Sequence, residues 1–161
     1  MNEFVNKILC GDVVEKLKEF PDDIFHTVVT SPPYFGLRDY QVDGQIGLEA
    51  TVEEYVAKMV EVFREVKRVL RPDGTCWINL GDSFAGSGKG RTAEGLTAAS
   101  GKQATNRGSI TGKILPSKVT SVLKPKDMIG IPWRVALALQ ANGWWLRADV
   151  IWHKPNPCLR A

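Results

Sequence analysis

No run of about 18 apolar residues occurs in the 161-residue chain, so no transmembrane helix is expected. The N-terminal stretch "MNEFVNKILCGD" has an early acid and no long apolar core, which argues against a signal peptide. Cysteine is scarce. Cys10, Cys76 and Cys158 are odd in number and far apart, which excludes a disulfide framework and a thiolate metal cluster. They are expected as free thiols in a reducing, cytoplasmic setting. Acid is nearly missing from one stretch. Between Ser83 and Lys126 stand eight Lys or Arg and one acid, Glu94. That segment carries +7; with +3 overall, the remainder carries −4. A block of this kind is a solvated loop or a phosphate-contacting one.

What is present fits one globular domain with a real core, at 43% hydrophobic and 24% charged residues. Lys7 to Cys10 reads as a strand. Asp12 then caps a helix "VVEKLKEF", with Glu15 completing a capping box. "HTVVT" is short and β-branched, as a buried parallel strand should be. Val52 to Leu70 has apolar residues at helical spacing behind a Thr51–Glu54 capping box, and "RPDG" stops it. "TCWINLGD" is a third strand. "IPWRVALALQANG" is a helix between Pro132 and Gly143. "WWLRADVIWHK" is a last strand. Strands alternating with helices imply an α/β fold with a mostly parallel sheet. Ligands of such sheets sit beyond the carboxyl ends of the strands. Three stretches fall there: "SPPY", "NLGD" and "WHKPNP".

"SPPY", Ser31 to Tyr34, is chemically unusual. Proline has a carbonyl and no N–H, so the backbone at Pro32 and Pro33 only accepts hydrogen bonds. Each proline also holds the residue before it extended. Ser31 adds a hydroxyl acceptor and Tyr34 a flat ring. A stiff acceptor edge beside a stacking surface suits a double donor, such as the exocyclic amino group of a nucleobase. Gripping both its hydrogens frees the nitrogen lone pair for attack. No metal and no covalent intermediate is needed. The four residues alone are also what an inert double-proline turn, the commoner case, would show.

The wider stretch "TSPPYFGLRDY" is similar to the (S/N/D)PP(Y/F/W) motif of the DNA amino-methyltransferases. The resemblance extends through "ILCGDVVEKLKEFPDD", "GLEATVEEYVAKMVEVFREVKRVLRPDGTCWINLGDSFA" and "IGIPWRVALALQANGWWLRADVIWHKPNP". It implies a Rossmann-like core, S-adenosyl-L-methionine as cofactor, double-stranded DNA as partner and base flipping. It implies that Ser31 and the Pro32 carbonyl grip the target amino group, that Pro33 shapes the turn and that Tyr34 stacks on the base. The Ser form of the motif points to cytosine N4, with adenine N6 as the alternative. Asp12 and Asp82 match acidic positions near the cofactor and target pocket. Each could equally serve only its local structure, Asp12 as a helix cap. Trp152, His153 and Lys154 match the far wall of the base pocket; otherwise they are an edge aromatic and a solvated basic pair. Lys89 and Arg91, with the rest of the basic Gly/Ser/Thr-rich loop 83–126, are expected to meet DNA and to be poorly ordered without it.

One departure from the family is plain: the Phe-x-Gly-x-Gly pattern of the cofactor loop occurs only as Phe84 to Gly88, at the head of the basic loop, and not near the C-terminus. In the permuted subgroup, where the "PPY" block comes first, that loop lies nearer the C-terminus. Residues 1–161 are therefore expected to be the catalytic part of such a domain with its C-terminal part missing. Alone, the chain is expected to bind S-adenosyl-L-methionine weakly or not at all and to be inactive. A homodimer or a complementing C-terminal half, and a place among restriction-modification methyltransferases, are further expectations. Two rivals fail on spacing. Pro157-Cys158 lacks the strand and helix that would aim a cytosine-C5 nucleophile, and "GSGKGRT" lacks P-loop spacing because position 83 is Ser. A non-catalytic DNA-binding fragment is the alternative of another class.

Overall fold

The computed structural model describes residues 4–85, 123–124 and 126–153. Five elements follow in order: α1 (Val13–Lys18), β1 (Phe25–Thr30), α2 (Val52–Val69), β2 (Leu70–Ile78) and α3 (Ile131–Ala141). β1 and β2 form a parallel two-stranded sheet. The α/β class and the parallel pairing agree with the sequence reading.

α2 organises the core. Thr51 Oγ1 accepts the Glu54 amide, and the Glu54 carboxylate accepts the Thr51 amide, both at 3.1 Å. The expected capping box is thus complete. Val52, Tyr55, Met59, Val62, Phe63, Val66 and Val69 recur on one face and are buried. All but Val69 pack in one cluster with Ile129, Ile131, Val135 and Leu139 from the α3 region and with Val14 of α1. The Asp12 cap is also present: its Oδ1 accepts the amides of Val14 and Glu15 at 3.0 and 3.1 Å. Glu15 does not return the bond; its carboxylate pairs with Lys18. Carbonyls at and just past the end of α1 are met from α2. Arg68 donates to Leu17 O and Phe20 O and pairs with Asp22 and Glu65. A guanidinium at a helix C-terminus satisfies carbonyls that have no partner within the helix.

Three sequence expectations are corrected. Residues 7–10 are not a strand, and Ile8 is fully exposed. Residues 144–153 are not a strand either. Their composition suits β structure, but a strand forms only against a partner edge, and among the described residues neither segment finds one. "RPDG" does not separate helix from strand. Leu70 caps α2, its amide bonding to Val66 O, and already pairs with Phe25 of β1. The register then jumps from Phe25–Leu70 to Thr27–Thr75, so Arg71 to Gly74 bulge out of the ladder.

Strand alternation sorts the sheet. Val28, Cys76 and Ile78 pack against the helical core. Val29 and Trp77, paired in register, lie on the other face and are 78% and 54% exposed.

Candidate target-base site

β1 and β2 run parallel, so their carboxyl ends emerge side by side. The Asn79 amide bonds to Thr30 O at 2.9 Å, which carries the pairing one step past the strands. Ser31 to Tyr34 leave from β1 and Leu80 to Asp82 from β2. The two stretches meet. A Cβ built on Gly81 would lie 2.7 Å from Cε2 of Tyr34. No side chain fits between that backbone and the ring, so glycine permits the ring to lie there.

The acceptors of the turn divide into two sets. Tyr55 donates its hydroxyl to Pro33 O at 2.9 Å. Tyr34 O accepts the Leu37 amide at 3.3 Å. Ser31 Oγ and Pro32 O have no hydrogen-bond partner among the described residues, and Ser31 is exposed. The sequence offered both proline carbonyls as acceptors, and the family resemblance gave Pro33 only the shaping of the turn. The second carbonyl is consumed from inside.

The far side of the turn rests on Gly47, whose φ is +102°. A Cβ there would stand 3.0 Å from Tyr34 O and 3.4 Å from Pro33 Cβ. Gly47 O accepts the Gly36 amide at 2.7 Å, and the Gly47 amide donates to Glu49 at 2.9 Å. Close by, an open groove of about 760 Å³ runs between residues 39–49 and α2. Asp39, Asp43, Glu49, Glu54 and Glu61 line it against a single Lys58, so it repels phosphate.

Asp82 is at the site but faces α3. Its Oδ2 accepts the Gly130 amide at 2.9 Å, and its Oδ1 accepts the Ile131 amide at 3.1 Å and the Ser83 amide at 2.8 Å. Gly130, the N-cap position of α3, has no side chain to offer, and Asp82 supplies the missing acceptor. Asp12 spends Oδ1 on α1. Its negative charge also favours the charged form of Lys58, though the Glu61 hydrogen bond dominates there. Trp152 and His153 are exposed and belong to no element; Trp152 is 74% exposed. Lys154, Lys89 and Arg91 lie outside the described residues, as does nearly all of the basic loop.

A test of these residues against S-adenosyl-L-methionine gives a poor fit. Both oxygens of Asp82 are taken by amides, Asp12 is a helix cap, and the one Phe-x-Gly-x-Gly stretch, Phe84 to Gly88, has its glycines outside the described residues. Among the described residues there is no group of His, Cys, Asp and Glu able to hold a metal, and no helix long and apolar enough to cross a membrane.

Sequence reasoning missed Tyr55 and Gly81. Tyr55 reads as one more apolar residue on the α2 stripe. Its signal was the hydroxyl, since a buried tyrosine needs a partner. Gly81 carried no signal beyond its place after a strand.

Comparison with known proteins supplies the rest. Curated relatives include the Type II methyltransferases M.SmaI of Serratia marcescens, 45% identical over 93% of this chain and 48% of its own length, and M.Cfr9I of Citrobacter freundii, 43% identical over 91% and 45%. M.SfiI of Streptomyces fimbriatus is 44% identical over 91% of this chain and 30% of its own length. The chain spans about half the length of the first two. No solved structure matches it. The DNA methylase family model, of N6 and N4 type, matches residues 25–161, from the first residue of β1 onward. With a parallel strand pair ending in an acceptor-only corner, the chain belongs to the N4/N6 DNA amino-methyltransferase family.

Proposed function

We propose that this chain forms the target-base part of a DNA amino-methyltransferase whose acceptor is cytosine N4, with adenine N6 as the alternative. One observation carries the reading. Ser31 Oγ and Pro32 O have no partners among the described residues, at the end of β1 and beside the Tyr34 ring. An exocyclic amino group brings two N–H donors and meets two acceptors there. The grip draws its hydrogens out of the ring plane and restores the lone pair on nitrogen. Tyr34 stacks on the extrahelical base and fixes its plane. Gly81 and Gly47 hold the ring and the turn from behind.

S-adenosyl-L-methionine is the methyl donor that the family resemblance implies. Because its cradle is not complete among the described residues, the donor site is assigned to polypeptide outside them. The relatives have about twice the matched length. Val29, Trp77, Trp145, Ile151 and Trp152 are large apolar residues left in water, as a complementing half would require. Double-stranded DNA is the partner of the assembly, and Lys89 and Arg91 are candidate phosphate contacts.

Ser31→Ala tests the reading. In the assembled enzyme it removes methyl transfer and leaves DNA affinity within about twofold. Nucleoside mass spectrometry of the product names the base, as N4-methylcytosine or N6-methyladenine. Undiminished transfer by the variant, or no transfer by the wild-type assembly, overturns the reading.

A further inference from the structure

We infer that Tyr55 is the positioning residue of the acceptor corner, an inference that rests on the target-base reading above. Tyr55 is fully buried, and its ring is tilted against Phe35 at 5.5 Å. Its hydroxyl stands 2.9 Å from Pro33 O. Burial, with smaller contributions from Glu49 and Tyr34, pushes its pKa well above the ordinary range, so it stays a donor at any working pH.

The consequence lies one peptide earlier. Pro33 obliges Pro32 to be extended, and in extended backbone successive carbonyls point well away from one another. Drawing the Pro33 carbonyl inward to α2 turns the Pro32 carbonyl away from α2. Tyr55 therefore selects which of two chemically identical acceptors the base meets. It also fixes the peptide from which the Tyr34 ring departs, and the bare backbone of Gly81 gives that ring room to lie against it. Without the Tyr55 hydroxyl the turn has two comparable carbonyls and no preference between them. The device works from behind and touches neither base nor cofactor.

Tyr55→Phe keeps the ring and deletes the donor. In NMR spectra of the chain, the Pro33 carbonyl carbon is expected to move upfield as its hydrogen bond is lost. The Tyr34 ring and Ser31 signals should move with it, while those of α3 stay in place. Replacing Tyr55 by p-aminophenylalanine restores a donor at the same point and should return all three. It also covers the case in which the Phe variant does not fold. Tyr34 and Ser31 signals unmoved in the folded Phe variant, or still displaced in the folded amino variant, overturn the inference.

In the assembled enzyme, Tyr55→Phe should lower kcat by about tenfold to a hundredfold with KM for DNA within about twofold, and the amino variant should recover kcat. A role confined to packing would lower Tm and leave kcat per folded molecule unchanged. A wild-type assembly without transfer, in which Tyr55→Phe still moves Tyr34, refutes the target-base reading and leaves the positioning role standing.

Discussion

The carboxylate of Asp82, four residues past the end of β2, accepts the amides of Gly130 and Ile131 at the start of α3, 48 and 49 residues further on. It staples the α3 N-terminus to the carboxyl end of the sheet. Asp82→Ala should therefore cost about 1–2 kcal/mol, as the loss of a charged helix cap does. Urea titration measures the cost, and hydrogen exchange should place it in the first turn of α3. If Asp82 instead serves only the cofactor, stability will not change.

Gly81 makes a different prediction. In Gly81→Ala the new methyl must enter space that Tyr34 Cε2 already occupies, at 2.7 Å. The ring has to swing out. Methyl transfer by the assembled enzyme should fall by about a hundredfold, while Tm moves little, since the ring is only partly buried. A variant with wild-type kcat would show that the ring position is not used.

Cys76 is held above its ordinary range, to about 11, by burial against the core. Cys10 is exposed. At pH 8 iodoacetamide should label Cys10 and spare Cys76, because the thiolate is the nucleophile. Peptide mass spectrometry reads this directly. The sign for stability follows. The folded thiol ionises later than the unfolded one, whose value is near 9.0. The contribution is whole below pH 9 and is lost as pH rises toward 11. A protein that gains stability from pH 9 to 11 contradicts the burial.

Val29 and Trp77 face water as a register pair. Val29→Lys should change the stability of the chain by less than about 0.5 kcal/mol, as exposed substitutions do. If the face accepts a complementing half, the same change should abolish assembly, measured by analytical ultracentrifugation. Assembly at wild-type affinity would move the interface elsewhere.

Much of this was readable beforehand. The stripe and capping box of α2, the β-branched β1 and the Pro132-to-Gly143 frame of α3 are local signals, and local physics decides them. The acceptor corner was legible because proline lacks an N–H wherever it stands. Residues 7–10 and 144–153 misled for one shared reason. Their β propensity is real, but pairing is non-local, and propensity says nothing about whether a neighbour edge is at hand. The partner of the Pro33 carbonyl was not legible: it lies 22 residues away and is invisible to any reading of the turn itself. Asp82 matched a family position by sequence, while its bonds reveal a helix cap.

Leu70 ends α2 and begins β2 with nothing between. Helix and strand are thus geared together. One added residue ahead of Leu70 would rotate the preceding helix by about 100° relative to the sheet, carrying the Tyr55 hydroxyl around the barrel of the helix and off its target. The Arg71-to-Gly74 bulge, already out of step with β1, can absorb the same insertion without turning anything. Length variation among natural versions of this chain should therefore cluster after position 70 and stop short before it.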